Sequence, residues 1–193
     1  MRTCILFVLA GLFTLKIAAA LPPEYESLKT DAEKFYAEGS FAKAHELYAR
    51  AMVMSNITSN EARWVWFRNY DTQWRSAAAT QNADTTKLDA AREALEKMVR
   101  DVKREEDKDR VWVEVQESLG DFYWTRRNNH DWSAAWPHYQ LALNWWAGAR
   151  DIELARTRYL AIVRRAAKPP QEQYGYWGTQ MGLEVLENFL KIA

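Results

Sequence analysis

Residues 25–51 read YESLKTDAEKFYAEGSFAKAHELYARA. Tyr25, Leu28, Ala32, Phe35 and Tyr36 recur at steps of three and four, which places them on one face of a helix. Gly39 suits the left-handed position just past a helix end, and Ser40 suits an N-cap. Phe41, Ala44, Leu47, Tyr48 and Ala51 then repeat the pattern on a second helix, over about 41–54. A two-residue turn leaves the second helix no course but back along the first, so the stretch is an αα-hairpin. The small residues let two helices approach closely. The aromatics fill the gap to whatever packs next.

Working outward, Thr58 and Glu61 fit a capping box that opens a third helix. It runs to about Ala79 and carries Trp64, Trp66, Phe67, Tyr70 and Trp74. Residues 80–85, TQNADT, read as a loop. A fourth helix from about Thr86 has Leu88, Ala91, Leu95, Met98, Val99 and Val102. The highly charged stretch 100–110, RDVKREEDKDR, reads as a solvated helix end or connector. A fifth helix runs from about Arg110 to Thr125 with Val111, Val115, Leu119, Phe122 and Tyr123. Residues 127–131, RNNHD, form a turn with Asp131 as N-cap. A sixth helix covers about 132–147, and Pro137 within it is expected to kink or delay it. Asp151 can cap a seventh helix to about Ala167, which Pro169 and Pro170 end. The loop QEQYGYWGTQ leads to a last helix from about Met181.

Eight helices in four hairpins invite a search for repeats. Ala32, Phe35, Gly39, Phe41, Ala44, Tyr48 and Ala51 of the first hairpin follow the spacing of tetratricopeptide repeats. Leu119, Gly120, Tyr123, Trp132, Ala135, Tyr139, Ala142 and Leu143 of the third resemble it too, with three extra residues in the turn. The other two hairpins fit only as helical pairs. One hairpin cannot bury both of its faces, so several stack. The expected fold is all-α: a tetratricopeptide-like α-solenoid of about four antiparallel hairpins over residues 21–193. The alternative is a general all-α bundle.

Composition narrows the function. Lys plus Arg total 26 and Asp plus Glu total 26, so the 193-residue chain has no net charge. That disfavours a strongly basic nucleic-acid binder. Seven Gly and five Pro are too few for the turns of a β-sandwich. The one cysteine, Cys4, excludes a disulfide framework and a cysteine-based zinc site. Residues 1–20, MRTCILFVLAGLFTLKIAAA, have Arg2, a short apolar stretch from Ile5 to Leu15 and Ala18 to Ala20. This is the pattern of a secretory signal peptide, and it implies a secreted or periplasmic protein. Lys16 shortens the apolar run below a comfortable membrane span; an uncleaved anchor is the other reading. Cleavage would remove Arg2, Lys16 and Cys4 and leave a net charge of −2 with no cysteine.

Four segments taken together resemble the N-terminal helical region of large bacterial proteins of the alpha-2-macroglobulin family. They are YAEGSFAKAHELYARA (36–51), EARWVWFRNYDTQWRS (61–76), DRVWVEVQESLGDFYWTRR (109–127) and WPHYQLALNWWAGARD (136–151). The resemblance covers about residues 24–193. The family traps proteases, with a bait region and often a thioester built from a Cys and a nearby Gln. Cys4 lies in the leader, so no thioester can form here, and 193 residues leave no room for the family's many β-domains. The resemblance therefore implies a fragment or a free-standing relative of the helical part, without protease trapping.

Catalytic motifs are missing. His45, His130 and His138 make no H-x-x-x-H or H-E-x-x-H pair, and no G-x-S-x-G, G-x-G-x-x-G or phosphate-binding loop occurs. The expectation is a non-enzymatic protein-interaction module with no cofactor and no metal. In helical repeats of this kind the first helix of each hairpin lines a groove. The groove-facing positions would be Glu26, Lys29, Glu33 and Tyr36 in the first hairpin. In the third they would be Glu114, Glu117, Asp121 and Trp124. Five carboxylates and two aromatics there favour a protein partner with a basic or extended segment, anchored at Tyr36 and Trp124. A second candidate is the aromatic loop with Tyr174, Tyr176 and Trp177, which can bind a partner or cover the core. Rival readings are an exported enzyme using a carboxylate pair and a structural spacer.

Overall fold

The computed structural model describes residues 21–80, 84–126 and 130–167, together with Glu187. The expected signal peptide at 1–20, the expected aromatic loop with Tyr174, Tyr176 and Trp177, and the expected eighth helix all fall outside these residues, Glu187 apart. The described residues are all-α. They form α1 (Pro23–Ala37), α2 (Phe41–Met52), α3 (Ser59–Ala78), α4 (Thr85–Arg100), α5 (Arg110–Trp124), α6 (Trp132–Ala147) and α7 (Ile152–Ala167), with a short 3₁₀ turn at Glu105–Asp107. None of these helices is long and apolar enough to cross a membrane.

Short polar side chains set most of the helix starts. Thr58, Asp84, Asp109 and Asp131 each accept the backbone N–H three residues on, and Asp151 does the same for Leu154 at 3.1 Å. The capping box at α3 is only half made. Thr58 bonds the Glu61 N–H, but the Glu61 carboxylate turns away to the Tyr25 hydroxyl and to Lys29. Ser40 holds the N-cap position of α2 without a capping side-chain bond. Gly39 has φ of 74°, the left-handed geometry that a turn of two residues requires. Pro137 neither delays nor interrupts α6, which runs through it. The charged stretch after α4 holds the 3₁₀ turn and is mostly exposed.

Each helix packs on its neighbour in sequence, and α5 also packs on α3 and α7. The apolar side chains fall into successive clusters. Tyr25, Leu28, Ala32, Ala44, Tyr48, Ala51 and Val65 join α1, α2 and α3. Phe67, Trp74, Leu88, Ala91, Leu95, Val115, Leu119 and Phe122 join α3, α4 and α5. The largest cluster joins α5, α6 and α7 around Trp112, Trp124, Tyr139, Leu143, Trp146, Tyr159 and Ile162. Helix α5 is the hub: twelve of its fifteen residues are buried.

Gly120 fixes how closely α6 can approach α5. A Cβ at this position would lie 2.6 Å from two ring carbons of Tyr139, which is fully buried and cannot swing away. Overpacking of this kind costs about 1–3 kcal/mol, against a helix-propensity gain of about 1 kcal/mol for Gly→Ala. Gly120→Ala is therefore expected to lower stability by about 1–2 kcal/mol in urea unfolding. A variant as stable as the parent would show that α5 and α6 lie further apart.

Candidate functional site

The odd-numbered helices carry the polar chemistry. At one end, Glu33 of α1 accepts from the Tyr48 hydroxyl and from Arg68 Nη2 at 3.1 Å. Arg68 lies on α3 with its guanidinium 4.2 Å from the Tyr36 ring centroid. On its other side Arg68 Nη2 stands 4.0 Å from Glu114 Oε2 of α5, while Arg110 Nε donates to Glu114 Oε1 at 2.8 Å.

Three residues beyond Arg68, Asp71 of α3 is wholly buried. It accepts from Arg75 Nε at 3.0 Å, the Ser118 hydroxyl at 2.5 Å and the Tyr36 hydroxyl at 2.7 Å. Arg75 Nη2 reaches across to Asp121 of α5 at 2.9 Å. Asp121 also accepts from the Tyr139 hydroxyl at 2.7 Å and from Arg165 Nε of α7 at 2.8 Å. Arg165 Nη2 then donates to Glu117 Oε2 at 3.1 Å. Glu117 is closed off by the Trp146 indole N–H at 2.7 Å and by Arg158. The result is a continuous seam of alternating charge through α1, α3, α5 and α7.

The environment shifts these groups in different directions. Burial by itself pushes Asp71 up, but Arg75, the Ser118 hydroxyl and Arg68 outweigh it and hold the carboxyl below its ordinary value. Asp121 is likewise pushed up by burial and held low by Arg165, Arg75 and the Tyr139 hydroxyl. At Glu117 burial wins and the carboxyl is raised, although Arg158, Arg165 and Trp146 oppose it. A carboxyl held low in the folded chain binds fewer protons there than when unfolded. Its stabilisation is complete above the ordinary carboxylate range, about pH 4, and is lost as pH falls through the folded value. Glu117 has the opposite sign: it favours the folded chain in acid and loses that effect as pH rises through its raised value. With two depressed groups against one raised, the urea midpoint is expected to fall between about pH 5 and about pH 2.5. An Asp71→Asn, Asp121→Asn double variant, less stable at neutral pH, should show a flatter dependence. A midpoint that rises on acidification would contradict this sign.

The structure brings most of the groove candidates together, but not on an open surface. Glu114, Glu117, Asp121 and Trp124 are buried, with relative exposures of 1–3%. The expectation that they line a solvent-facing groove is corrected: α3 and α7 supply four arginines that cover the acids. Trp124 packs on Trp132 with ring centroids 4.8 Å apart, and its indole N–H donates to the Ala166 carbonyl at 3.1 Å. Glu33 and Tyr36 sit at the half-buried edge of the seam. Glu26 is exposed and stands outside it, and Lys29 pairs with Glu61. The sequence pattern quoted above does not single out the four arginines. Their signal was the spacing: Arg68 and Arg75, and Arg158 and Arg165, are each seven apart, as are Glu114 and Asp121. Two turns of helix put both members of such a pair on one face.

Among the described residues two surface clefts stand out. One, of about 580 Å³, lies at the α6–α7 corner beside Trp145, Trp146, Leu154, Arg110 and Arg150. The other, of about 240 Å³, lies between Phe41, Trp74, Arg75, Ala78 and Arg126. Both combine tryptophan with a pair of arginines. Among the described residues no group of three or more His, Cys, Asp or Glu is arranged to hold a metal. Compared with family models, curated proteins and solved structures, the chain matches none of them.

Proposed function

We propose that this chain is a non-enzymatic helical scaffold that binds a protein partner, and that it works outside the cytoplasm. The observation that carries the reading is the charged seam itself. Its carboxylates are each paired with an arginine, of a neighbouring helix at Glu33, Glu117 and Asp121 and of their own helix at Asp71 and Glu114, so they serve cohesion, and none of them lines either cleft named above. A carboxylate enzyme needs two acids facing a substrate-sized space. Glu117 and Asp121 differ in protonation tendency, as an acid and a base would, but Arg165 bridges them and neither lines a described cleft.

The two described clefts are aromatic and cationic, which suits recognition. The packing of α5 on both α3 and α7 supports a tetratricopeptide-like stack of hairpins. The sequence pattern of residues 1–20 supports export. The resemblance to the helical region of alpha-2-macroglobulin family proteins supports a docking role beside or within a larger envelope protein.

The test is site-directed photo-crosslinking in the source cell's envelope extract. A benzophenone side chain is placed at Trp145 or Ala79, on the two clefts, and at the exposed Lys103 as a control. The reading expects one protein to be captured from a cleft position, not from Lys103, and to be displaced by excess unlabelled chain. Capture of nothing from either cleft, repeated at low salt, would overturn it.

A further inference from the structure

We infer that the cleft between the C-terminal ends of α3 and α5 is a carboxylate-binding pocket, with Arg126 as the cation that receives the ligand. The inference rests on the scaffold reading and names the chemistry of its partner: an acidic group with an apolar flank. This reverses the charge expected of a partner segment, because the acids of α5 are already neutralised inside the fold.

Arg126 is half-buried. Its guanidinium lies 3.9 Å from the Phe122 ring centroid, and Nε donates to the Phe122 carbonyl at 2.6 Å. Among the described residues no carboxylate pairs with it. A cation held against a ring and partly removed from water, with neither terminal nitrogen hydrogen-bonded among the described residues, is suited to an anion. Burial pushes its pKa below the ordinary arginine value, Tyr123 and Asp89 oppose that, and the nearby charge of Arg92 adds to it. An incoming anion would offset the cost of burial.

Arg75 lines the same pocket. Its Nε and Nη2 are engaged by Asp71 and Asp121, and Nη1 has no hydrogen-bond partner among the described residues. Phe41, Trp74 and Ala78 give the pocket apolar walls, and its volume of about 240 Å³ suits one small group rather than a long ligand. Both helices end here, and helix C-termini carry partial negative charge. That works against any anion, and more against a dianion such as phosphate than against the single charge of a carboxylate, so the guanidinium must outweigh it. The carboxylate can come from a partner's chain terminus or from an Asp or Glu side chain.

Calorimetric titration of the full chain tests this with small probes. N-acetylphenylalanine offers a terminal carboxylate with an apolar flank, and N-acetyl-phenylalanyl-aspartyl amide offers a side-chain one. N-acetylphenylalanine amide and inorganic phosphate are the controls. At least one carboxylate probe is expected to bind about tenfold more tightly than the amide and than phosphate. The tighter of the two carboxylate probes identifies the source. Arg126→Gln should weaken it about tenfold, and Arg126→Lys, which keeps the charge and loses the fork, should weaken it less. Ala78→Leu fills the wall with Arg126 intact and should also weaken it, whereas Arg150→Gln, at the other cleft, should not. Equal binding of the amide, tighter binding of phosphate, or indifference to both Arg126→Gln and Ala78→Leu would overturn the assignment. Because the probes need no macromolecular partner, their failure leaves the crosslinking result, and the scaffold reading, to stand or fall separately.

Discussion

Asp121→Ala is expected to destabilise the chain by about 3–5 kcal/mol, the cost of leaving buried charges without their counter-ion. Domains of this size are stable by only about 5–15 kcal/mol, so the variant should sit near the edge of folding. The argument is local. Asp121 holds Arg75 from α3, Arg165 from α7 and the hydroxyl of Tyr139 from α6 at once. Truncation leaves Arg75 with Asp71 and Arg165 with Glu117, but each loses its shortest link across the helix interface. A second substitution tests the mechanism. In Asp121→Ala with Arg165→Met, the uncompensated guanidinium is gone and Glu117 keeps Arg158. The double variant should therefore be less destabilised than the two single losses added together. An exposed ion pair provides the contrast. Lys97 and Asp101 lie 2.6 Å apart on the outside of α4, and Asp101→Ala should leave the urea midpoint unchanged, since solvent screens such pairs. If Asp121→Ala cost less than about 1 kcal/mol, water would be replacing the carboxylate and the seam would not be a cohesive element.

The helices were legible because their signals are local. A capping Asp or Thr, an apolar residue every third or fourth position, and a Gly beyond the helix end all act within a few residues. Asp131 and Asp151 were read as caps, and Asp84 and Asp109 act in the same way. The fate of the α5 acids was not legible, because the arginines of α3 and α7 that cover Glu117 and Asp121 lie 41 to 48 positions away. Glu114, Glu117 and Asp121 look like a solvated or binding face in a sequence whose net charge is zero. Only the matched seven-residue spacing of arginines on α3 and α7 marks them as interior. The same limit explains Glu61: its spacing from Thr58 predicts a capping box, but Tyr25 and Lys29 of α1 take its carboxylate. Pro137 shows the reverse case. Local sterics predict a disturbed helix, and tertiary packing of Ala135, Tyr139 and Ala142 on α5 and α7 holds α6 continuous.

Trp124 separates the two roles that a sequence reading can give an aromatic residue. A surface anchor contributes to binding and little to folding; a core residue does the opposite. Trp124 is 1% exposed and is the largest of the fully buried side chains. It packs on Trp132 and stands against His130 at 6.1 Å between ring centroids. Its indole N–H donates to the Ala166 carbonyl near the end of α7. Trp124→Ala removes that bond and opens a cavity between α5, α6 and α7, and is expected to cost about 3–5 kcal/mol. Trp124→Phe keeps most of the volume and loses the indole donor, leaving the Ala166 carbonyl without that partner, and should cost roughly half as much. Partner capture at the two clefts, measured below the unfolding transition of Trp124→Phe, should be unchanged, because neither cleft is lined by Trp124. If Trp124→Ala instead unfolded at the parent's urea concentration and lost the partner, Trp124 would be a surface anchor after all, and the packing of α7 over α5 would be wrong.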